Sequence, residues 1–231
     1  MRWIGQTNVL SIRPYRSEDR DGLFKIAADT AFFGEPIEIY MEDRRIFLDA
    51  FYAYYTDYKP EHSWVATAND VVVGFLTGCV DSARKDQIVN KHINPRVILR
   101  MLTGYYRVGP KARKYIWRMW ISKRKHLYPS INLEEYPAHL HINVDEKWRG
   151  YGIGIRLMKV YLDQLAYLKV PGVHLGTSSE NLIACQLYEK LGFQLISEKP
   201  SIMWKGIVDH PVQSRAYAMK LTAYENSTAF K

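Results

Sequence analysis

Cysteine is scarce in this 231-residue chain, which has only Cys79 and Cys185. Two isolated cysteines supply neither a disulfide framework nor a metal-ligand cluster, and such sparse use suits a reducing compartment. We therefore expect a cytoplasmic protein with no metal site.

Long apolar segments are absent as well. The longest nearly apolar run, residues 71–80, is too short to cross a bilayer, and the first ten residues lack the apolar core of a signal peptide. No internal repeat or low-complexity tract interrupts the chain. Its length is sufficient to bury a substantial core, so we expect a single domain over residues 1–231.

Acidic residues are nearly missing from one segment. Residues 84–125 contain thirteen Lys or Arg and a single acid, Asp86, whereas the whole chain carries a net charge of +8, so the remainder is net acidic. Helices are predicted there over residues 95–102 and 110–125. In the second helix, two sets of side chains take different sides: Ala112, Tyr115, Ile116, Met119 and Trp120 on one, and Lys111, Lys114, Arg118 and Lys125 on the other.

Hydrophobic periodicity elsewhere predicts a mixed α/β sheet with helices on both faces. Asn69-Asp70 is expected to form a hairpin turn between two β-branched strands. Strands are predicted over residues 9–13, 62–68, 71–80, 138–144, 173–177, 193–198 and 215–222. Helices are predicted from Ser17, after residues 34–36, over 152–169 with an apolar stripe of Leu157, Tyr161, Leu165 and Leu168, and over 181–191.

The most informative segment is residues 138–154, where an apolar-rich strand runs into Arg149, Gly152 and Gly154 and then into a helix. Small residues let the backbone turn tightly and expose consecutive N–H groups. The helix N-terminus adds a partial positive charge that suits a pyrophosphate. Closely spaced glycines such as Gly150, Gly152 and Gly154 also occur in ordinary turns, so their sequence context decides whether they indicate a phosphate site.

That context resembles the acetyl-CoA signature of the GNAT acetyltransferase superfamily. The signature has Arg or Gln, two residues, Gly, one residue, and Gly or Ala, after a strand that ends in Val, here Val144. A second block, Asn181 followed by residues 188–193, resembles the family's other half-site. The likeness covers residues 8–80 and 136–222, and it leaves residues 84–132 as a basic helical insertion between the third and fourth strands. A fainter likeness links the strings HLHI and GVHLG to the acetyltransferase-like domain attached to some O-GlcNAc hydrolases.

The resemblance implies a GNAT-like, mostly antiparallel sheet and direct transfer of an acetyl group from acetyl-CoA to a primary amine. Neither cysteine lies in a nucleophile motif, which disfavours an acyl-enzyme route. By the same resemblance, the Val144 N–H is the oxyanion donor, and Tyr188, protonated at neutral pH, is the general acid. The implied cofactor-binding residues are Ile142, Asn143, Val144, Arg149, Gly150, Tyr151, Gly152, Ile153, Gly154, Asn181 and Tyr188.

Two of these residues have ordinary structural alternatives. Tyr188 could pack in the core beside Leu187 and Leu191. Asn181 resembles the residue that forms a hydrogen bond with the pantetheine arm of the cofactor, but it also precedes a predicted helix, where it could simply cap the helix N-terminus.

His141 and Glu35 are the candidates for the general base, which is needed because a lysine-like amine with a pKa near 10.4 costs roughly 4 to 5 kcal/mol to deprotonate at pH 7. His139 and His141 share one strand face and resemble the paired histidines of serotonin acetyltransferases. Counted back from Val144, however, the pair is shifted by one residue relative to those histidines. On a regular strand such a shift places the side chains on the opposite face of the sheet, unless a bulge restores it. His141 is thus a proton relay or a hydrogen-bonded, partly buried histidine. Glu35 either holds the cationic amine or lies on a surface turn.

The insertion has three interpretations: a lid with a solvated basic side, a site for a polyanion or the CoA phosphates, or a surface that rests on an anionic membrane. The positive charge is the only feature of the insertion that favours binding to nucleic acid, so no sequence-specific binding of nucleic acid is expected. The aromatic residues there would also suit a homodimer interface. We expect an N-acetyltransferase for a small-molecule or peptide amine. The competing hypothesis is a catalytically silent CoA-fold module that engages a polyanion or protein partner through the insertion.

Overall fold

The computed structural model describes residues 10–225, and its centre is a seven-stranded sheet with the order β1-β2-β3-β4-β5-β7-β6. Neighbouring strands are antiparallel except for β4 and β5, which are parallel. The expected mixed, mostly antiparallel sheet is therefore confirmed; the expected strand start at Val9 lies outside the described residues. The strands are β1 Leu10–Pro14, β2 Ser63–Ala68, β3 Val71–Cys79, β4 Ala138–Val144, β5 Gly172–Ser178, β6 Gln194–Ser201 and β7 Val212–Lys220.

Helices cover both faces of the sheet. One face packs against α6, α7 and α8, and the other packs against α1, α2 and α4. Within residues 10–225, no helix is both long enough and apolar enough to span a membrane. The helices are α1 Arg20–Asp29, α2 Arg44–Phe51, α3 Ser82–Ile88, α4 Asn94–Leu102, α5 Pro110–Arg124, α6 Ile153–Tyr167, α7 Leu182–Lys190 and α8 Leu221–Glu225.

The local patterns of β2, β3 and α6 fold largely as expected. Asn69 and Asp70 both have positive φ, 49° and 65°, as a two-residue hairpin turn of the primed type requires. Leu157, Tyr161 and Leu165 of α6 are fully buried, as their spacing predicted. The prediction for the fourth member of that stripe is wrong: Leu168 is 45% exposed, because α6 ends one residue before it.

The connection from β3 to β4 holds the basic insertion. It contains α4 and α5, which were expected, and also α3 and a π-helical turn at Val89–Ile93, which were not. The start of α5 is fixed to the rest of the fold by Glu42, whose carboxylate accepts the N–H groups of Lys111 (2.8 Å) and Ala112 (3.0 Å). The insertion is therefore anchored at the point where its longest helix begins.

Candidate active site

β4 and β5 pair at two positions, Ala138 with Val173 and His139 with His174. Beyond His139 the two strands no longer pair, although β5 continues to pair with β7 as far as Ser178. The sheet therefore opens between β4 and β5 on the C-terminal side of His139. We call this opening the strand gap.

The backbone of alternate β4 residues faces the strand gap. The N–H of Asp145 donates to the Val73 carbonyl oxygen of β3 at 2.9 Å, and the antiparallel register runs without a shift from there back to His139. Successive residues of a regular strand direct their N–H groups to opposite sides. Asn143 therefore bonds to β3, whereas Ile142 and Val144 direct their N–H groups into the gap. Val144 thus has the orientation that an oxyanion donor needs.

The Asn143 side chain forms a hydrogen bond within the fold. Its Nδ2 donates to Thr30 Oγ1 at 2.6 Å, which fixes the C-terminal end of α1 against β4. On the same sheet face, Thr77 is the register partner of His141, and its hydroxyl is buried with no hydrogen-bond partner among the described residues. An unpaired buried hydroxyl costs about 1 to 3 kcal/mol, which favours a water molecule or a ligand group beside His141.

No bulge interrupts the β3–β4 register, so the one-residue shift counted from Val144 remains. His139 and His141 therefore lie on the face opposite α6, and the likeness to the paired histidines of serotonin acetyltransferases does not extend to the face of the strand. Tyr55 contacts both: its hydroxyl is 3.2 Å from His139 Nδ1, and its ring centroid is 5.5 Å from that of His141. Burial, with a further contribution from the positive charge of Lys85, lowers the pKa of His141 to about 3. His141 is therefore neutral at pH 7.

Metal ligation is not supported here. Among residues 10–225, no group of three His, Cys, Asp or Glu side chains is placed to hold a metal ion.

The loop before α6 presents an open backbone surface. Gly150 and Gly152 have positive φ, 84° and 72°, and a Cβ at either position would have no atom within 4 Å. For the N–H groups from Gly150 to Gly154, residues 10–225 provide no hydrogen-bond acceptor. Free N–H groups at a helix N-terminus bind anions, so this loop fits the pyrophosphate that the sequence predicts.

The other residues of the loop have distinct positions. Ile153 is buried, and its Cγ2 lies 3.2 Å from where a Cβ on Gly74 would be, so only its backbone is available to a ligand. Tyr151 is 68% exposed. A Cβ on Gly154 would lie 3.4 Å from Leu187, so this glycine lets α6 and α7 approach closely.

Arg149 connects the end of β4 to the turn that contains Glu35. Its Nε donates to the Val144 carbonyl oxygen (3.3 Å) and its Nη2 to the Gly34 carbonyl oxygen (3.2 Å). The turn is tight: Phe32 and Glu35 exchange backbone hydrogen bonds of 2.8 Å, and Phe33 has a φ of 54°, which is rare for an aromatic residue. Glu35 is exposed on this turn, near the end of β4.

Tyr188 combines a buried ring with an unpaired hydroxyl. It is 6% exposed, and its ring contacts Phe193 and Tyr217. The Tyr217 hydroxyl donates to Glu189 (2.8 Å), but the Tyr188 hydroxyl has no hydrogen-bond partner in the described part of the chain. Burial raises the pKa of Tyr188, so the phenol stays protonated at neutral pH. Core packing and proton donation are therefore compatible in this residue.

Asn181 stands at the N-cap of α7, but its side chain does not cap the helix. Its Nδ2 instead donates to Thr177 Oγ1 at 3.1 Å. The capping alternative considered from the sequence is therefore wrong for the side chain, whose carbonyl oxygen is left available.

Four residues that the sequence did not single out also build the site: Thr30, Tyr55, His174 and Trp204. Trp204 comes from the β6–β7 connection, yet its ring centroid lies 5.3 Å from that of Phe32 and 5.0 Å from that of Phe33. Since these rings are about 170 positions apart in the chain, no local pattern could have brought them together.

Known proteins share this architecture. The model of the acetyltransferase (GNAT) family matches residues 33–193. The solved structure of SsHAT is 27% identical, with 92% of this chain and 98% of that chain covered and a TM-score of 0.71.

More distant matches have named activities. YncA, a putative acetyltransferase from Salmonella typhimurium solved with its cofactor acetyl-CoA, is 15% identical (93% and 95% covered, TM-score 0.56). The ribosomal-protein-S18-alanine N-acetyltransferase from Escherichia coli is 16% identical (92% and 94% covered, TM-score 0.51). At such identities these two likenesses concern the fold alone.

Proposed function

Because this chain belongs to the acetyltransferase (GNAT) family, we propose that it transfers an acetyl group from acetyl-CoA directly to a primary amine of a small molecule or peptide. Acetyltransferase activity with acetyl-CoA follows from the family; the amine acceptor and the residue roles are our proposal. We also propose that residues 1–231 form a single catalytic domain. The observation that carries the proposal is the strand gap, where the N–H groups of Ile142 and Val144 have no acceptor among residues 10–225 and lie beside an open glycine loop.

The chain's own groups divide the work of binding. Bound acetyl-CoA supplies an acetyl group activated as a thioester. The N–H groups from Gly150 to Gly154 hold the pyrophosphate, and the Ile142 N–H and the Asn181 side chain face the pantetheine arm. The Val144 N–H donates to the acetyl oxygen as negative charge develops on it, a contribution worth about 3 to 4 kcal/mol in other enzymes.

Tyr188 holds a proton for the departing thiolate. Its raised pKa keeps the hydroxyl protonated, and that hydroxyl has no competing partner within residues 10–225. General acids of this kind contribute about 10²- to 10⁴-fold in rate.

His141 orients the amine rather than storing its proton. A group with a pKa of about 3 takes a proton from an ammonium of pKa near 10.4 at a cost of about 10 kcal/mol. Loss of the same proton to solvent at pH 7 costs only about 4 to 5 kcal/mol. The amine is therefore deprotonated by solvent, and the neutral imidazole accepts a hydrogen bond from it. Glu35, exposed near the end of β4, attracts the cationic amine before that step.

The test measures cofactor binding and turnover separately. Calorimetric titration with acetyl-CoA should show micromolar binding. CoA release should occur with primary amines and should be absent with the N,N-dimethylated form of each amine, which has no N–H to lose. Tight binding with no turnover on any amine would reject our proposal and support the silent binding module.

One observation weighs against a silent module. A protein that only binds needs no free hydroxyl at Tyr188 and no free donor at Val144, and the described fold preserves both. The homodimer, the membrane contact and the cytoplasmic location stay predictions.

A further inference from the structure

A second groove, of about 210 Å³, lies between α5, the 3-10 turn Ile37–Ile39 and the β6–β7 connection. Tyr40 and Tyr115 form part of its wall, with ring centroids 4.8 Å apart. The charged residues that line it are Lys111, Lys114 and Arg118, and none of its lining residues is acidic. We call it the cationic groove.

Within the described part of the chain, Arg118 and Lys114 form no ion pair with a carboxylate. Arg118 donates to the carbonyl oxygens of Met203 (2.9 Å) and Lys205, and Lys114 forms no ion pair among the described residues. Carbonyl oxygens satisfy donors but do not cancel a full charge. Burial accordingly lowers the pKa of Arg118, with no carboxylate to oppose it.

Lys111 forms no ion pair among the described residues either, but the Glu42 carboxylate lies close enough to interact with its charge. Its Nζ donates to the Glu38 carbonyl oxygen at 2.6 Å, and its N–H donates to the Glu42 carboxylate. The charge of Lys111 is therefore partly balanced by Glu42, whereas Lys114 and Arg118 have no carboxylate partner within residues 10–225.

Other arginines of this chain show the contrast. Arg44 binds Glu38 (2.7 Å) and Asp29 (3.0 Å), and Arg215 binds Glu198 (2.5 Å). These carboxylates raise the pKa of both arginines. A part-buried cation is usually paired in this way, whereas Arg118 is not, and the exposed Lys114 adds a second positive charge beside it. The groove is therefore suited to an anion from outside the chain.

An aromatic cluster extends from the cationic groove to the turn that lies beside the end of β4. The Tyr40 ring lies 5.1 Å from Trp204 and 6.0 Å from Phe32 by ring centroids, and Phe32 begins the turn that Arg149 ties to the end of β4. One aromatic cluster therefore connects the groove to the turn near the end of β4, where we propose that the amine binds.

We propose that the cationic groove binds a carboxylate or phosphate group of the acceptor, so that the preferred substrates are primary amines with a negative charge away from the reacting nitrogen. This rests on the proposed function. Lys114 supplies a mobile ammonium, Arg118 supplies a fixed planar guanidinium, and the two tyrosines supply an apolar wall for the body of the substrate.

The test compares matched amines. Glucosamine 6-phosphate against glucosamine isolates the phosphate, and the dipeptide Ala-Glu against Ala-Gln isolates the carboxylate. We expect at least a tenfold higher kcat/KM for the anionic member of one pair, expressed mainly in KM and reduced by added salt. The pair that shows the preference identifies which anion the groove takes.

The variants locate the effect. Lys114→Gln should reduce the preference by about tenfold and leave kcat/KM for the neutral amine unchanged. Lys123→Gln is the matched control, since it removes an exposed lysine of α5 that does not line the groove. Arg118→Lys is a second variant that keeps the charge but loses the planar fork, and it should reduce the preference less than Lys114→Gln does.

The outcomes separate the two proposals. Equal kcat/KM for both members of each pair, or a preference that survives Lys114→Gln, overturns the groove assignment while leaving the acetyltransferase proposal intact. If no amine is turned over, equilibrium binding of the same four compounds decides. Binding of an anionic compound that Lys114→Gln weakens supports the groove, and no difference between the members of a pair rejects it.

Discussion

His139 and His174 face each other in the last register pair of β4 and β5, with ring centroids 5.0 Å apart. His141 follows on the same face of β4, with its ring 4.5 Å from that of His139. Three imidazoles therefore stand where the strand gap begins, and burial lowers the pKa of each of them.

This cluster predicts a loss of stability in acid. The unfolded chain binds protons at these histidines near pH 6.5, whereas folded His141 binds one only near pH 3. Below about pH 6.5 the unfolded state thus holds more protons, so stability is full above that pH and decreases as the pH falls. Denaturant unfolding at pH 7 and pH 5 should show this decrease, and His141→Gln should make it smaller.

His210 provides the control for that experiment. Hydrogen bonds to Glu180 and Asp209 raise the pKa of His210. Its contribution to folding stability is therefore present at low pH and is lost as the pH rises, the opposite of the contribution from His141. His210→Gln should therefore not reduce the loss in acid. An unchanged pH dependence in His141→Gln would contradict the assignment.

Tyr188→Phe should lower kcat by about 10²-fold or more, because it removes the proton donor. The affinity for acetyl-CoA and the free energy of unfolding should change little, since the hydroxyl has no partner within the described fold. Calorimetry, turnover and denaturation measure the three quantities. Tyr217→Phe is the matched control: it removes a hydroxyl bonded to Glu189, so it should cost about 1 kcal/mol of stability and leave kcat near the wild-type value. A normal kcat in Tyr188→Phe would show that another group protonates the thiolate.

Gly152→Ala should weaken acetyl-CoA binding, because its Cβ would project from the open surface of the loop before α6. Gly104→Ala is a close control. The two glycines have φ values of 72° and 74°, and a Cβ at either has no neighbour within 4 Å. Both variants should lose about 1 kcal/mol of stability or slightly more, as expected for alanine at positive φ. Only Gly152→Ala should raise the dissociation constant, and equal cofactor affinity in the two variants would place the cofactor elsewhere.

Arg149→Met should raise KM for the amine several-fold, because the turn from Phe32 to Glu35 loses its tie to the end of β4. The free energy of unfolding should fall by about 1 kcal/mol or less, since both hydrogen bonds are exposed. Lys147→Met, at a nearby exposed position, should leave KM unchanged. Amine titrations at saturating acetyl-CoA test this, and equal KM values for both variants would deny the turn a role in acceptor binding.

Features with a local cause could be predicted from the sequence. β4 spans the predicted residues, 138–144, because alternating apolar positions set its length. Asn69-Asp70 forms its turn because both residues tolerate positive φ. The glycine loop before α6 follows from the same kind of local requirement.

Features that depend on which surfaces meet could not be predicted. Trp120 was assigned to the apolar side of α5, yet it is 50% exposed and stacks on Trp117 at 5.1 Å between ring centroids. Arg118 was assigned to the basic side, yet it binds carbonyl oxygens of the β6–β7 connection. A helical pattern shows which residues share a side, but not which side packs. The place of Trp204 depends on contacts between distant parts of the chain in the same way.

The alternation along β4 also gives this strand an uneven rate of amide hydrogen exchange with deuterated solvent. The amides of His141 and Asn143, bonded to β3, are expected to exchange slowly, and those of Ile142 and Val144, which face the strand gap, to exchange quickly. A ligand that enters the gap protects the second pair and leaves the first pair as it was. Within this one central strand, the exchange rates of His141 and Asn143 therefore provide an internal reference, and those of Ile142 and Val144 report whether a ligand is bound.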